Sequence, residues 1–384
     1  MKKVLILGGS HRDIPLIKAS QELGYFVITM GDRDYYLGHE YSDKCYKVNF
    51  NDLTRVKEII ESEKINYLLP GSGEEPYLNT VQLAQELNIG NFDSLEVAKL
   101  VHNKWKFKKF CLENSISTPS GFYYTDDLNL NNIEFPITIK PTNLSGGRGV
   151  DVVYDFKNLK ESLAKSREVS DEIFLEEFVD GELIAYSVVI KNRKIAYGFT
   201  GRDDTYKNKY LITSAYPIQL KAVTQNKLQS DVEKISRLLS LVDGMFHLQV
   251  IIKDEVPYII DVTRRIPGDF YPYLMEYCDT IEYSKAVVKS YIGEPLKNEL
   301  TATKKQNFII RHCVMSDKNG TFKEIQIDET LKQNVIFRVD LMNKNTEIKN
   351  FLTDQIAIIF IQLLAKDINI INNINKLIHP IVVV

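Results

Sequence analysis

The stretch Ile139–Val150, IKPTNLSGGRGV, ends an apolar run with a lysine and a proline and then sets three glycines around Arg148 within four positions. It lacks the GxxxxGK[ST] order of a P-loop, and the VDVVYDF that follows has the β-branched texture of a strand, not the start of a helix. The prediction is therefore strand, glycine loop, strand. Such a loop can fold over phosphates as a flap, because glycine leaves backbone N–H groups uncovered. Arg148 can add a charge-assisted contact, and Lys140, held at the end of the first strand, can aim a point charge at a phosphate. Taken alone, the pattern is better read as a hairpin turn.

Outward from this loop the texture differs on the two sides. Before it, KVLILGG, YFVITMGD and INYLLPGSG are short apolar runs that alternate with the helical periods PLIKASQELG, LTRVKEIIESEK and PYLNTVQLAQELN. That alternation predicts an α/β domain with a parallel sheet over residues 1–92, with ligands near the carboxyl ends of its strands. Gly24 stands where a helix C-terminal cap belongs. A dinucleotide fingerprint fails, since GGSHRD supplies Gly8 and Gly9 but no third glycine, although Asp32 lies where a ribose-binding acid would. From residue 93 onward, helices and paired strands predict α+β domains to about residue 296, divided near 173. A motif-poor α+β region follows over 297–384.

Within 93–296 several groups can carry chemistry. Lys104 offers a second cation, although in NKWKFKKF most lysines are expected on a solvated face. FLEEFVDGE ends a strand in two acids and a glycine turn; its backbone can meet a base edge, and Glu182 can take ribose hydroxyls. For Glu176, Glu177 and Glu182 the plain reading is exposed hairpin charge. HLQVIIKDEVPYIIDVTRR reads as two antiparallel strands that bring Gln249 opposite Asp261 and Thr263, oxygen ligands suited to Mg²⁺. Arg265, two residues past Thr263 and on the same strand face, can reach an anionic intermediate.

In order, Lys104, TIKP, SGGRGV, EEFVDGE, HLQV and IIDVTRR resemble the ATP-grasp superfamily, including its carboxylate-amine ligases and the carbamoyl-phosphate synthetase large subunit. The resemblance implies ATP between two α+β subdomains, with Lys104 and Lys140 on phosphates and Ser145, Gly146, Gly147, Arg148, Gly149 and Val150 as the flap. It places Glu176, Glu177, Phe178 and Val179 at adenine, Glu182 near ribose, and Mg²⁺ or Mn²⁺ on Gln249, Asp261 and Thr263. The family's usual metal residues are Glu, then Glu-x-Asn-x-Arg, so this chain departs from them at three positions. Carbamoyl-phosphate synthetases are similar in using Gln at the first.

The implied activity is an ADP-forming C–N ligase. A small-molecule carboxylate becomes an acyl phosphate and an amine displaces the phosphate, with Arg265 and Lys140 as catalytic residues and Arg202 and Arg265 toward the substrate. The alternatives are a carbamoyl-phosphate-type or carboxylating enzyme, and an ATP-binding module with little turnover.

Cysteine usage predicts a cytoplasmic protein, and the resemblance implies an enzyme that can form a homodimer. The formal charge of −3 over 384 residues gives no basic field for nucleic acid or an anionic membrane surface. Its 4 cysteines lack metal or disulfide spacing, and no apolar run is long enough to span a bilayer.

Overall fold

The computed structural model describes residues 1–383 apart from 129, 131, 132, 143–146, 148, 297, 304 and 306. Its first unit is built from β1 (Lys3–Leu7), α1 (Ile14–Glu22), β2 (Phe26–Met30), β3 (Lys44–Tyr46), α2 (Leu53–Glu63), β4 (Tyr67–Pro70) and α3 (Glu74–Leu87). The strands pair in parallel in the order β3-β2-β1-β4. Alternate residues enter opposite cores: Val4 and Ile6 pack with Leu16 and Val81, whereas Leu5 and Leu7 pack with Val56 and Ile59. Both faces are covered, which is why the strands are apolar without interruption. Gly24, at φ +83°, follows α1 as its C-terminal stop.

The loops at the carboxyl ends of β1 and β4 are tied together by Asp13. Its buried carboxylate accepts the N–H groups of Gly9 (2.8 Å), Ser10 (2.9 Å) and Ser72 (2.7 Å). The backbone donors that a pyrophosphate would need are thus taken by a side chain. α4 (Leu95–His102) and α5 (Lys104–Glu113) lead out of this unit.

A four-stranded antiparallel sheet follows, made of β5 (Gly121–Tyr123), β6 (Ile137–Pro141), β7 (Asp151–Val153) and, after α6 (Phe156–Arg167), β8 (Ile173–Glu177). Its order is β5-β8-β6-β7, and Ile139 pairs with Asp151 across the glycine loop. The strand-loop-strand reading of the opening stretch therefore holds. Ile137, Ile139, Ile173 and Leu175 bury one face against Leu159 and Leu163 of α6. The alternate residues Thr138, Lys140, Phe174 and Glu176 fall on the other face. Because β8 belongs to this sheet, the change to the next one comes after Glu177, later than the expected division near 173.

The largest sheet has eight strands in the order β13-β12-β9-β10-β11-β14-β18-β16. Its elements are β9 (Glu182–Lys191), β10 (Lys194–Thr205), β11 (Ile212–Pro217), α7 (Ala222–Leu238), β12 (Gly244–Lys253), β13 (Val256–Thr263), α8 (Tyr271–Cys278), α9 (Tyr283–Ile292) and β14 (Phe308–Met315). The rest of the chain supplies β15 (Gly320–Ile327), α10 (Glu329–Lys332), β16 (Val335–Asp340), β17 (Glu347–Ile348), β18 (Gln355–Leu363), α11 (Ile368–Leu377) and β19 (Ile378–Val383). β14, β18 and β16 extend the central sheet, and β17-β15-β19 forms a small one. Part of the last region is thus hydrogen-bonded into the central sheet, and the rest forms a sheet of its own. The α/β unit followed by α+β units was the expected fold class. Among the described residues no helix is long and apolar enough to cross a membrane.

Candidate active site

α5 begins at the site because Asn103 caps it, its side chain accepting the Lys106 N–H at 2.9 Å. The backbone N–H of Lys104 donates to Thr142 O at 3.1 Å, which fixes the helix start to the end of β6. Lys104 and Lys140 are thereby brought to one place from two elements. Lys104 Nζ lies 2.8 Å from Asp261 Oδ2, and Lys140 Nζ is ion-paired with Glu176 Oε1. Burial raises the pKa of the Asp261 carboxyl, but the ammonium groups of Lys104 and Lys140 outweigh it and hold the group below the usual carboxylate range.

β12 and β13 pair so that Gln249 stands directly opposite Asp261. Among the described residues the Gln249 side chain has no protein partner, so its oxygen is free for a ligand. Thr263 differs from expectation. It lies one row deeper, opposite His247, and its Oγ1 accepts the Arg265 N–H at 3.2 Å. The arrangement offers a metal two adjacent protein oxygens instead of three. Mg²⁺ suits such a site, since it keeps several non-protein oxygens and takes few carboxylates. No group of three His, Cys, Asp or Glu side chains that could hold a metal occurs among the described residues.

The two arginines after Thr263 part company by strand alternation. Arg264 is 4% exposed and points inward: Nε lies 2.7 Å from Asp93 Oδ2, and Nη1 and Nη2 donate to Met245 O and Val242 O at 2.6 and 2.8 Å. Arg265 has only Ile266 O at 3.3 Å, and its buried Nε has no partner. Burial and the Arg12 guanidinium together push its pKa below the ordinary arginine value. Two like charges left close together, one with an unsatisfied donor, make an anion-accepting position. His247, bonded to Ser187 Oγ at 2.6 Å, sits beneath it; burial and Arg265 lower its pKa to about 3, so it is neutral.

The first unit contributes Glu74, at the start of α3. Burial lifts its pKa to about 7 against the pull of Lys104 and Arg265, while Asp261 pushes the same way as burial. Arg12 comes from the loop after β1 and donates to Asp269 Oδ1 at 3.2 Å. Asp269 and Phe270 both have positive φ, 54° and 55°, so a strained turn holds Asp269 where His11, Arg12 and Gln355 converge.

Several sequence expectations change. Glu176 is not exposed hairpin charge: it is 3% exposed and paired with Lys140 and with Lys108, whose Nζ lies 2.8 Å from its Oε2. Lys108 was expected on a solvated face, yet it is as buried as Glu176, because it sits one turn after Lys104 on the same side of α5. Glu177 is exposed, with Oε2 accepting from Ser120 Oγ at 2.9 Å, while Phe178 is half-buried and Val179 buried. Glu182 is exposed and ion-paired with Arg202 at 2.9 Å. Arg202 pairs in register with Ile184, on the α7 side of the sheet, whereas Gln249 pairs with Ala185 on the other side. Arg202 therefore points to the opposite strand face from Gln249 and pairs with Glu182 at the start of β9. Of the flap, Gly147 and Gly149 have φ of 71° and 72°. Ser145, Gly146 and Arg148 lie outside the described residues, and Val150 begins the return toward β7.

A family model described as an ATP-grasp domain matches residues 101–269. A formate-dependent phosphoribosylglycinamide formyltransferase of Sulfurovum sp. is 22% identical over 271 residues, covering 68% of this chain and 70% of that protein. Among solved structures, an L-amino acid ligase from Bacillus licheniformis superposes with a TM-score of 0.81 at 19% identity, covering 100% of this chain and 99% of that one. A phosphoribosylglycinamide synthetase from Anaerococcus prevotii gives 0.78 at 20% identity, covering 99% of each chain. The ATP-grasp domain model thus matches residues 101–269, and the chain as a whole shares the fold of these solved structures.

Proposed function

We propose that the chain is an ATP-dependent, ADP-forming C–N ligase acting on a small-molecule carboxylate and an amine. The observation that carries this reading is the convergence of Lys104 and Lys140 on a hairpin bearing Asp261, Gln249 and Arg265. On nucleotide binding the two lysines exchange their carboxylate partners for phosphate oxygens. The hinge from Glu177 to Val179 meets the base and Glu182 the ribose. The substrate carboxylate attacks the γ-phosphorus, ADP leaves, and the acyl phosphate lies against Arg265; attack by the amine at the acyl carbon then expels inorganic phosphate. Positioning and charge stabilisation suffice for the first step, since the attacking oxygen is already an anion. Asp261 and Gln249 would hold Mg²⁺, which when bound neutralises phosphate charge.

The test is ADP release with Mg²⁺ across panels of carboxylates, each with and without an amine mixture, with bicarbonate as a separate arm. Release that requires both an organic carboxylate and an amine is expected. Release that requires bicarbonate would move the chain to the carboxylating class, and tight ATP binding with no substrate-dependent ADP would leave a binding module.

A further inference from the structure

Glu176 has two lysine partners that are held in different ways. Lys108 is 3% exposed, and besides Glu176 it donates to Thr118 Oγ1 at 3.0 Å and Pro119 O at 2.8 Å. Two hydrogen bonds to the segment between α5 and β5 anchor its ammonium group, which is held in ion-pair contact with Glu176 Oε2, 2.8 Å away. Lys140 is 12% exposed and, among the described residues, pairs with Glu176 alone. One cation is locked and the other is free to move toward the cleft.

We propose that Lys108 is a positioning residue for nucleotide binding: it keeps Glu176 paired at all times, so that Lys140 can leave that carboxylate for a phosphate. The reason is the cost of a buried charge. Glu176 is 3% exposed, and a carboxylate there cannot lose its sole cation without a large penalty. With Lys140 as its sole partner, Glu176 would hold that lysine back from the ligand. With Lys108 in place, the departure of Lys140 leaves an ion pair behind. Lys104 needs no such device, because its partner Asp261 is half-buried and can meet water or a cation when Lys104 moves.

The proposal rests on Lys140 meeting ATP phosphate, and binding measurements separate the two claims. Titration calorimetry of the full chain with Mg²⁺ and a non-hydrolysable ATP analogue is done on the wild type, Lys108→Met, Lys108→Arg, Glu176→Gln and the Lys108→Met/Glu176→Gln double variant. Lys108→Met is expected to weaken the analogue at least about tenfold, and Lys108→Arg by less than about threefold. In the Glu176→Gln background, where no carboxylate remains to retain Lys140, Lys108→Met is expected to change the affinity by less than about twofold. Equal weakening in both backgrounds would overturn the proposal, because a lysine that merely braces the fold acts whatever residue 176 is. Normal binding by Lys108→Met would overturn it too. Should Lys108→Met not fold alone, the double variant against Glu176→Gln carries the comparison, since the proposal requires those two to bind alike. A wild type that does not bind the analogue overturns the nucleotide reading itself.

Discussion

Lys104 Nζ lies 2.8 Å from Asp261 Oδ2, which joins the first residue of α5 to a residue near the end of β13 across the site. The pair lets Lys104 exist without ligand, as Glu176 does for Lys140. It also places the Asp261 carboxylate beside the free amide of Gln249, where phosphate-bound Mg²⁺ would sit.

Asp261→Asn should therefore lower substrate-dependent ADP release by at least about a hundredfold. Asp261 is half-buried and not part of a hydrophobic core, so the loss of stability should stay within about 1 kcal/mol. Wild-type turnover in this variant, measured with saturating Mg²⁺, would place the reacting phosphate elsewhere.

The neighbouring arginines should separate stability from activity. Arg264→Met strands the buried Asp93 carboxylate and two carbonyl acceptors, so unfolding should become easier by about 3–5 kcal/mol. Arg265→Met removes a guanidinium held by one carbonyl, so its melting temperature should stay near that of the wild type while turnover falls. Calorimetric melting and ADP release on the same samples read both; a stable, inactive Arg264 variant would reverse the assignment.

The period of two in a strand made this division legible in the sequence, as it made Gln249 and Asp261 legible as a facing pair. The parallel sheet was legible too, because apolar runs ending in Gly8, Gly31 and Gly71 leave few other folds. Lys108 was not: KWKFKK reads as a solvated face until Glu176, a distant residue, is known to lie across from it. The role of β14, β16 and β18 was hidden for the same reason, since pairing between distant strands leaves no local pattern. Arg202 shows the remaining gap. Alternation tells which residues share a face, but only the packing of α7 tells which face is which.

Glu74 gives the site a pH dependence near neutrality. Burial raises its pKa to about 7, so it is neutral below that pH and anionic above it, beside Lys104, Asp261, Arg265 and Glu75. An added negative charge opposes phosphate binding, so the KM for ATP should rise by roughly threefold as pH passes from 6 to 8. Glu74→Gln should flatten this rise. A pH profile of KM that is the same in both proteins would show that Glu74 does not titrate there.

Gly147 tests whether the flap closes on the large sheet. Its φ is +71°, and a Cβ built there would lie 2.2 Å from Tyr210 Cβ, in the turn between β10 and β11. The flap and that turn thus meet at a point where only glycine fits. Alanine would bring both the left-handed backbone cost, roughly 1 kcal/mol, and a clash that only a shift of one loop relieves. Both segments lie outside the hydrophobic cores, so Gly147→Ala should leave the melting temperature nearly unchanged while raising the KM for ATP about tenfold. Tyr210→Gly in the same chain removes the clashing carbon and should recover most of the loss, leaving the backbone term. An alanine variant with unchanged KM would mean that the loop meets nucleotide without resting on Tyr210.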